Sequence, residues 1–202
     1  MASLREQQKQ MTRQLLVDAG LELFTTKGYA ATTVDDIATA AGTTRVTFYA
    51  YFPSRGELMK ALIDERLNEA LQRDRSAEHG STAQDLVATI TEGTREAIEA
   101  WIRRTSESWP QIHPIIRIGR DAAAIEPELS KLVEGWLEEA IGDIEDGLTK
   151  ADRFAPHQRH FRGVLAMAQL DYVAQNWGES DWKLTRDQML DELAASWTQL
   201  LT

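Results

Sequence analysis

The chain has no cysteine, only five prolines and four histidines, and no long apolar run among its 202 residues. Without cysteine it can form no disulfide bond, thiolate metal site or cysteine nucleophile. A transmembrane helix requires about 20 consecutive apolar residues and a signal peptide requires a basic region followed by an apolar one, and neither pattern occurs. We therefore expect a cytoplasmic protein.

The charge is unevenly distributed along the chain. The net charge of -10 argues against a polyanionic partner, because phosphate binding depends on Lys and Arg. Residues 1–55, however, carry six basic and five acidic side chains, whereas residues 56–202 carry 16 and 27. The net charge is therefore +1 for residues 1–55 and -11 for residues 56–202. This difference is compatible with one nucleic-acid-binding face on an otherwise acidic protein.

The apolar residues recur at helical spacing, and no segment alternates as a strand would. The sequence therefore predicts an all-α protein of about nine helices. We divide it into a head over residues 1–53, a connecting helix over 54–78, and a larger helical domain over 79–202, with His79-Gly80-Ser81 as the linker. We expect one helix from Thr82 to about Glu107, closed by Trp109-Pro110, and a shorter helix after His113-Pro114.

Two short helices joined by a tight turn are predicted inside the head. Thr33-Val34-Asp35-Asp36 has the form of a capping box that opens the first helix, and Gly42 ends it. The second helix runs from Thr44 to about Tyr51. A helix pair of this kind presents its second helix to the major groove of DNA. The predicted outer face bears hydroxyls, phenols and one guanidinium, from Thr43, Thr44, Arg45, Thr47, Tyr49 and Tyr51.

These residues resemble a known family. The segments Thr32-Thr33-Val34-Asp35-Asp36-Ile37-Ala38, Ala41-Gly42, and Arg45 with Thr47 through Arg55 are similar to the TetR family of repressors. The resemblance covers the first quarter of the chain. It implies a three-helix DNA-binding head, a fourth connecting helix, a C-terminal domain for ligand binding and dimerisation, and repression that a small molecule relieves.

The resemblance also implies roles for individual residues. Thr33, Tyr49, Tyr51 and Arg55 correspond to phosphate contacts, and Thr44, Arg45, Val46 and Thr47 correspond to base-reading positions. The chemistry agrees, because a guanidinium can donate two hydrogen bonds to guanine. Where this chain reads Arg55-Gly56 the family often has Lys followed by Glu. Tyr51 has an alternative interpretation, in which it packs under Phe52 and Leu58.

All six tryptophans follow the head, and large aromatic side chains can line a cavity. The family resemblance locates the ligand pocket among the middle helices. The candidates for a mostly apolar effector site are Trp101, Trp109, His113, Ile116, Trp136, Phe161 and Tyr172. Aromatic residues at helical spacing are more often core residues than ligand contacts, so that alternative stays open for each of them.

By resemblance, the last two helices form a homodimer interface. One apolar stripe contains Val164, Ala168 and Tyr172, and a second contains Leu190, Leu193, Ala194, Trp197 and Leu201. Either stripe could instead face the core of its own chain. His157 and His160 lie three residues apart near Asp152, but surface histidine pairs are common and no third ligand has a fixed spacing, so we assign no metal.

Three functions compete at this level. The first is a transcriptional regulator that binds operator DNA and responds to a ligand, with no enzymatic activity and no cofactor. The second is a helical enzyme or small-molecule carrier, although the sequence contains no nucleophile-base pair, phosphate loop or metal constellation. The third is a protein-binding adaptor that acts through the acidic body. Whether a regulator of this kind represses or activates does not follow from the sequence.

Overall fold

A computed structural model describes the backbone of residues 3–74, 82–177 and 181–202, and the side chains of 3–65, 85–131, 134–135, 137–177 and 181–202. Within these ranges all regular elements are helices, which confirms the predicted all-α class. The helices are α1 (Leu4–Thr26), α2 (Val34–Ala40), α3 (Arg45–Tyr51), α4 (Arg55–Asp74), α5 (Thr82–Glu92), α6 (Arg95–Ser106), α7 (Trp109–Ala123), α8 (Pro127–Lys150), α9 (Pro156–Gln175) and α10 (Arg186–Leu201).

The described residues contain ten helices, one more than predicted. The single helix expected from Thr82 to about Glu107 is two helices, α5 and α6. Gly93 lies between them at φ +65°, a conformation that favours glycine, and the Thr94 hydroxyl accepts a hydrogen bond from Ala97 N at 3.2 Å to open α6. This glycine and its capping threonine were the missed sequence signal.

The start of α7 also differs from the prediction. Trp109-Pro110 begins this helix instead of closing the previous one, and Pro114 lies inside it. Pro110 lies in the first turn, where the N–H groups have no intrahelical partner, whereas Pro114 lies further along the helix and removes one intrahelical hydrogen bond.

The described residues divide into two compact units that do not follow chain order. The first contains Met1–Asn68 and Pro114–Val133, and the second contains Glu69–His113 and Glu134–Thr202. The first unit thus includes part of the region that the sequence analysis assigned to the larger domain. The predicted linker at residues 79–81 lies outside the described residues.

The first unit has a core shared by α1 to α4. Gly20 of α1 permits close packing against α4, since a Cβ atom there would overlap the Leu58 side chain. Segment 114–133 is joined to this core by a polar contact: Tyr29 Oη donates a hydrogen bond to Glu126 Oε1 at 2.5 Å. The side chains buried in this unit include Leu16, Phe24, Ile37, Phe48, Leu62, Ile118 and Leu129.

The second unit has a core rich in tryptophan. Trp197 of α10 is fully buried, stacks on Trp101 of α6 with ring centroids 5.5 Å apart, and donates from Nε1 to Ala166 O at 3.2 Å. At the surface Arg103 of α6 forms ion pairs with Glu99 of the same helix and with Asp187 and Asp191 of α10. No helix in the described ranges is long and apolar enough to cross a lipid bilayer.

Candidate nucleic-acid interface

Helix α2 begins at a complete capping box. Thr33 Oγ1 accepts a hydrogen bond from Asp36 N at 3.1 Å, and Asp36 Oδ2 accepts one from Thr33 N at 2.9 Å. Asp36 Oδ2 also accepts from Lys27 Nζ at 2.7 Å, which ties the end of α1 to α2. Lys27 foremost, and then Thr33, lower the pKa of Asp36 to about 2. The start of α2 is therefore held by local hydrogen bonds that the sequence predicted.

The turn between α2 and α3 is a Schellman motif. Gly42 has φ +66°, Gly42 N donates to Thr39 O at 3.0 Å, and Thr43 N donates to Ala38 O at 2.8 Å. Thr44 then caps α3, because its Oγ1 accepts from Thr47 N at 3.2 Å. These bonds set the angle at which α3 leaves α2.

Phe48 determines which face of α3 is buried. Its side chain is fully buried with Ile37 and Ala38 of α2, and its ring lies 5.5 Å from Tyr49 in an edge-to-face contact. The opposite face is open: Val46 is 80% exposed and Tyr49 is 45% exposed. Thr44 and Arg45 are also exposed, whereas Thr43, Thr47 and Tyr51 are half-buried. The predicted base-reading positions therefore lie on an accessible helix.

Arg45 is the one charged side chain in the sequence from Thr43 to Tyr51. Its Nη1 donates to Asp35 Oδ2 at 2.9 Å and its Nη2 donates to Tyr49 Oη at 3.4 Å. The guanidinium also lies 5.5 Å from the centroid of the Tyr49 ring. Asp35 was not predicted as a partner of Arg45, because the two residues are ten apart in sequence and meet only after α2 and α3 pack.

Arg55 occupies a position different from its predicted role. Its Nη1 donates to the carbonyls of Tyr29 at 2.9 Å and Thr32 at 2.6 Å, and its guanidinium lies 4.0 Å from the Tyr29 ring centroid. Nη2 lies 3.6 Å from Glu126 Oε1. Because the guanidinium is engaged inside the first unit, the geometry supports a structural role and not the predicted phosphate contact.

Burial separates the predicted effector-site residues into groups. Trp101 and Trp109 are buried, and His113 and Ile116 are half-buried. Phe161 and Tyr172 are 60% and 64% exposed on α9, so the structure does not support the prediction that these two line an interior site. The side chain of Trp136 lies outside the described residues. Sequence periodicity identified these positions as helical but did not distinguish the inward face of α9 from the outward one.

Three polar atoms near the buried tryptophans lack partners. Within the described part of the chain, Trp101 Nε1, Thr105 Oγ1 and Trp109 Nε1 are buried and make no hydrogen bond. Such atoms are uncommon in folded proteins, because a buried donor without an acceptor costs free energy. Trp101 and Trp109 were predicted as effector-site residues, whereas Thr105 was not.

A separate open depression has a volume of about 650 Å³. It is lined by Val87, Ala88, Thr91, Glu92 and Lys150, and none of these residues was predicted as a site residue.

The two apolar stripes predicted to form the dimer interface differ in burial. Leu190, Leu193, Ala194, Trp197 and Leu201 of α10 are buried in the core of their own chain, which was the alternative interpretation for that stripe. On α9, Ala168 and Tyr172 are exposed and Val164 is half-buried. His160 on the same helix contacts Glu145 at 3.1 Å and Glu138 at 3.6 Å, through different ring nitrogens.

Comparison with known proteins agrees with this geometry. A family model described as "Bacterial regulatory proteins, tetR family" matches residues 16–62, the segment that contains α2 and α3. Residues 16–62 are therefore similar to the DNA-binding segment of TetR-family regulators. This confirms the resemblance that the sequence analysis described.

The chain is similar to TetR-type regulators over segments of different length. It is 32% identical to YfiR of Bacillus subtilis over 88 residues, 42% of this chain and 43% of YfiR. It is 29% identical to EthR of Mycolicibacterium smegmatis over 59% of this chain and 51% of EthR. The chain thus spans about half the length of these two relatives. The transcriptional repressor LfrR of M. smegmatis is 25% identical over 97% of this chain and 93% of its own.

A solved structure extends the similarity in fold to nearly the whole chain. NalD of Pseudomonas aeruginosa, described as the secondary repressor of the MexAB-OprM multidrug efflux pump, superposes with a TM-score of 0.62 at 17% identity. The superposition covers 95% of each chain. The relatives are named as transcriptional regulators, in agreement with the prediction of a regulator without enzymatic activity.

Proposed function

We propose that this protein is a ligand-responsive repressor that binds operator DNA as a homodimer and is released from it by a small molecule. The orientation of α3 carries the proposal. Phe48 anchors one face of the helix while Val46, Tyr49 and Arg45 face solvent. A seven-residue helix with this exposed face fits the width of the DNA major groove.

The exposed residues of α3 supply the chemistry for base and phosphate recognition. Arg45 can donate two hydrogen bonds to guanine O6 and N7, and Val46 can contact a thymine methyl group. Thr44, Thr47 and Tyr49 supply hydroxyls at the groove edge, and Thr33, Thr43 and Tyr51 remain predicted phosphate or groove contacts. We leave Arg55 out of this set because its guanidinium has internal partners.

Dimerisation is required for two recognition helices to reach successive major grooves, which are about 34–36 Å apart. Helix α9 supports an interface between copies. Phe161, Leu165, Ala168 and Tyr172 lie four, three and four residues apart, and all four are exposed, so that they form one apolar stripe. We propose that this stripe packs against a second copy of the chain and that α10 mainly closes the core of each subunit.

The buried polar atoms of the second unit support an effector site. A ligand that is mostly apolar but bears a carbonyl or ether oxygen would accept the hydrogen bonds that Trp101 and Trp109 leave unmade. Such a ligand releases DNA if it binds the DNA-incompetent state of the dimer more tightly than the competent one. The names of LfrR and NalD, both described as repressors, favour repression as the outcome.

DNA binding is tested by selecting duplexes from a random library with the purified protein and measuring their affinity by gel shift. We expect one palindromic motif and about tenfold or greater weakening by Arg45→Ala. The control is Glu22→Gln, an exposed change on α1 that leaves α2 and α3 intact. If no duplex is enriched at low salt, or if Arg45→Ala selects the same motif with the same affinity, the proposal is wrong.

Dimerisation and ligand binding have separate tests. Light scattering should give a dimer for the native chain and a monomer for Phe161→Glu, whereas Leu184→Glu, at an exposed leucine outside the α9 stripe, should stay dimeric. For the effector, thermal unfolding is measured with matched pairs of an aromatic ketone and the hydrocarbon of the same size. We expect the ketones to stabilise the protein more, and equal effects of ketone and hydrocarbon would contradict the proposed acceptor chemistry.

A further inference from the structure

Arg45 is held by two neighbours that lie on different helices. Asp35, in the first turn of α2, accepts from Nη1 at 2.9 Å, and Tyr49, one turn further along α3, accepts from Nη2 at 3.4 Å. The side chains of Arg45 and Asp35 are 59% and 61% exposed, so the pair lies on the open surface of the head. A free arginine side chain samples many conformations. This one is restrained on the face that carries the base-reading positions.

The position of Asp35 relative to Arg45 is fixed because α2 and α3 are held together by a turn and by buried side chains. The Schellman turn at Gly42 and the burial of Ile37, Ala38 and Phe48 fix one helix on the other. The Asp35 carboxylate is therefore held at a set position relative to the start of α3. A guanidinium has five N–H donors, and Asp35 and Tyr49 occupy one each. Three donors remain, which is enough for the two hydrogen bonds to guanine.

We infer that Asp35 determines base specificity by orienting the Arg45 guanidinium toward a guanine and by keeping it away from neighbouring phosphates. This inference rests on the DNA-binding function proposed above. A carboxylate on the recognition face repels phosphate, so Asp35 weakens contacts that any sequence would offer. The guanidinium is then directed to a base edge, where only one base pair presents two acceptors to it. Asp35 is thus a positioning residue for Arg45.

The competing interpretation is that the ion pair exists only without DNA and is lost on binding. In that case Asp35 lowers the affinity for every duplex by the same factor, because the same ion pair is broken each time. If Asp35 orients the guanidinium, its removal changes the ratio of affinities between duplexes. The two interpretations therefore differ in base discrimination and not in affinity alone.

The experiment uses the full-length protein and two duplexes. The first is the duplex selected from the random library, and the second has A·T in place of the G·C pair whose preference Arg45→Ala abolishes. The variants are Asp35→Asn, Arg45→Ala, the double variant, and Glu22→Gln as the matched charge control. We expect Asp35→Asn to lower the affinity ratio about tenfold and to raise the affinity for a random duplex. In the double variant we expect the affinity ratio to equal that of Arg45→Ala alone. Glu22→Gln should leave the ratio unchanged.

Asp35→Glu is the second variant, since it keeps the negative charge at the start of α2 but displaces the carboxylate. We expect Asp35→Glu also to reduce the ratio of affinities for the two duplexes. If circular dichroism shows that Asp35→Asn does not fold, Asp35→Glu alone is used for the test. An unchanged ratio in the folded Asp35 variants, with all duplexes bound more tightly by one factor, would overturn this inference and leave the proposed function standing. If Arg45→Ala retains the native base preference, base reading by Arg45 fails and this inference fails with it.

Discussion

The two units of this protein differ in whether selected polar groups have hydrogen-bond partners. In the first unit the exposed polar side chains of the recognition region already have partners: Thr33 and Thr44 cap helices, and Arg45 is paired with Asp35. In the second unit Trp101, Thr105 and Trp109 hold polar atoms that are buried and unpaired among the described residues. A rigid surface suits a large polyanion, whereas unpaired interior donors suit a small molecule that must be enclosed.

The tryptophans provide a way to examine the two units separately. All six follow residue 100 and fall within the ranges of the second unit. Tryptophan fluorescence therefore reports unfolding of the second unit, while far-ultraviolet circular dichroism reports both. The following predictions use this difference and run from the largest expected effect to the smallest.

Trp197→Ala tests whether the tryptophan core stabilises the second unit. The ring is fully buried, stacks on Trp101 and donates to Ala166 O. We expect the free energy of unfolding of this unit to fall by about 3–5 kcal/mol, measured by urea denaturation with fluorescence detection. Leu184→Ala, at a side chain 47% exposed, is the control and should change it by less than about 0.5 kcal/mol. Similar losses in both variants would contradict the assigned core.

Gly56→Ala tests the contact that joins residues 114–133 to the first unit. A Cβ atom at position 56 would overlap the Glu126 carboxylate, which Tyr29 and Arg55 hold in place. We expect a loss of about 1–3 kcal/mol in the free energy of unfolding, seen by circular dichroism, and faster hydrogen exchange around Tyr29. Gly142→Ala, where an added Cβ meets no atom within 4 Å, should be neutral or stabilising. Equal effects of the two changes would argue against the contact.

The pKa values of two carboxyl groups, one in each unit, are shifted in opposite directions, so we expect the stabilities of the two units to depend on pH in opposite ways. Burial, together with Glu139 and Asp146, raises the pKa of Asp143 to about 6, whereas Lys27 and Thr33 lower the pKa of Asp36 to about 2. A raised pKa means that ionised Asp143 destabilises the native state above about pH 6, and this penalty disappears as pH falls toward 4. Asp36 stabilises its unit above its unfolded pKa, and that contribution is lost only as pH falls through about 2.

The variant Asp143→Asn should therefore stabilise the second unit at pH 7.5 by about 1–2 kcal/mol and have almost no effect at pH 4. The measurement is urea denaturation with tryptophan fluorescence at both pH values. Glu192→Gln, at an exposed position of α10, is the charge control and should change the stability little at either pH value. A stabilisation by Asp143→Asn that is independent of pH would contradict the raised pKa.

Adjacent buried hydroxyls give the smallest effects and the sharpest contrast. Ser106 Oγ donates to Arg103 O at 2.7 Å and accepts from Arg186 at 3.2 Å, whereas Thr105 Oγ1 has no partner among the described residues. We expect Ser106→Ala to destabilise the second unit by about 1 kcal/mol, and Thr105→Val to be neutral or slightly stabilising. A destabilisation by Thr105→Val as large as that by Ser106→Ala would mean that the hydroxyl has a partner.

Much of the head could be predicted from the sequence because its signals are local. The capping box at Thr33 and the glycine turn at Gly42 each act over three or four residues and form as predicted, and the next helix is capped at Thr44. The same holds for the extent of α3, which was predicted from Thr44 to about Tyr51 and runs from Arg45 to Tyr51. Local hydrogen bonds depend on neighbours in sequence, so the sequence is sufficient to identify them.

Apart from the helix break at Gly93 and the start of α7, the missed features depend on packing between distant segments. Phe161 and Tyr172 fit a pocket by residue type, but the rotation of α9 exposes them. Arg55 fits a phosphate contact by charge, but Tyr29, Thr32 and Glu126 engage it. Periodicity gives the spacing of an apolar face and not the direction in which that face points.

The sequence by itself therefore determined the helical class, the capping box and glycine turn around α2, and the resemblance of residues 16–62 to one family. Only the tertiary structure decided that residues 114–133 join the first unit, that Asp35 restrains Arg45, and that three polar atoms are buried without partners. The physical reason is the separation in sequence between the residues that make each contact. A cap or a turn is a contact over a few residues, whereas an ion pair between helices or a buried orphan donor exists only once separate helices have packed.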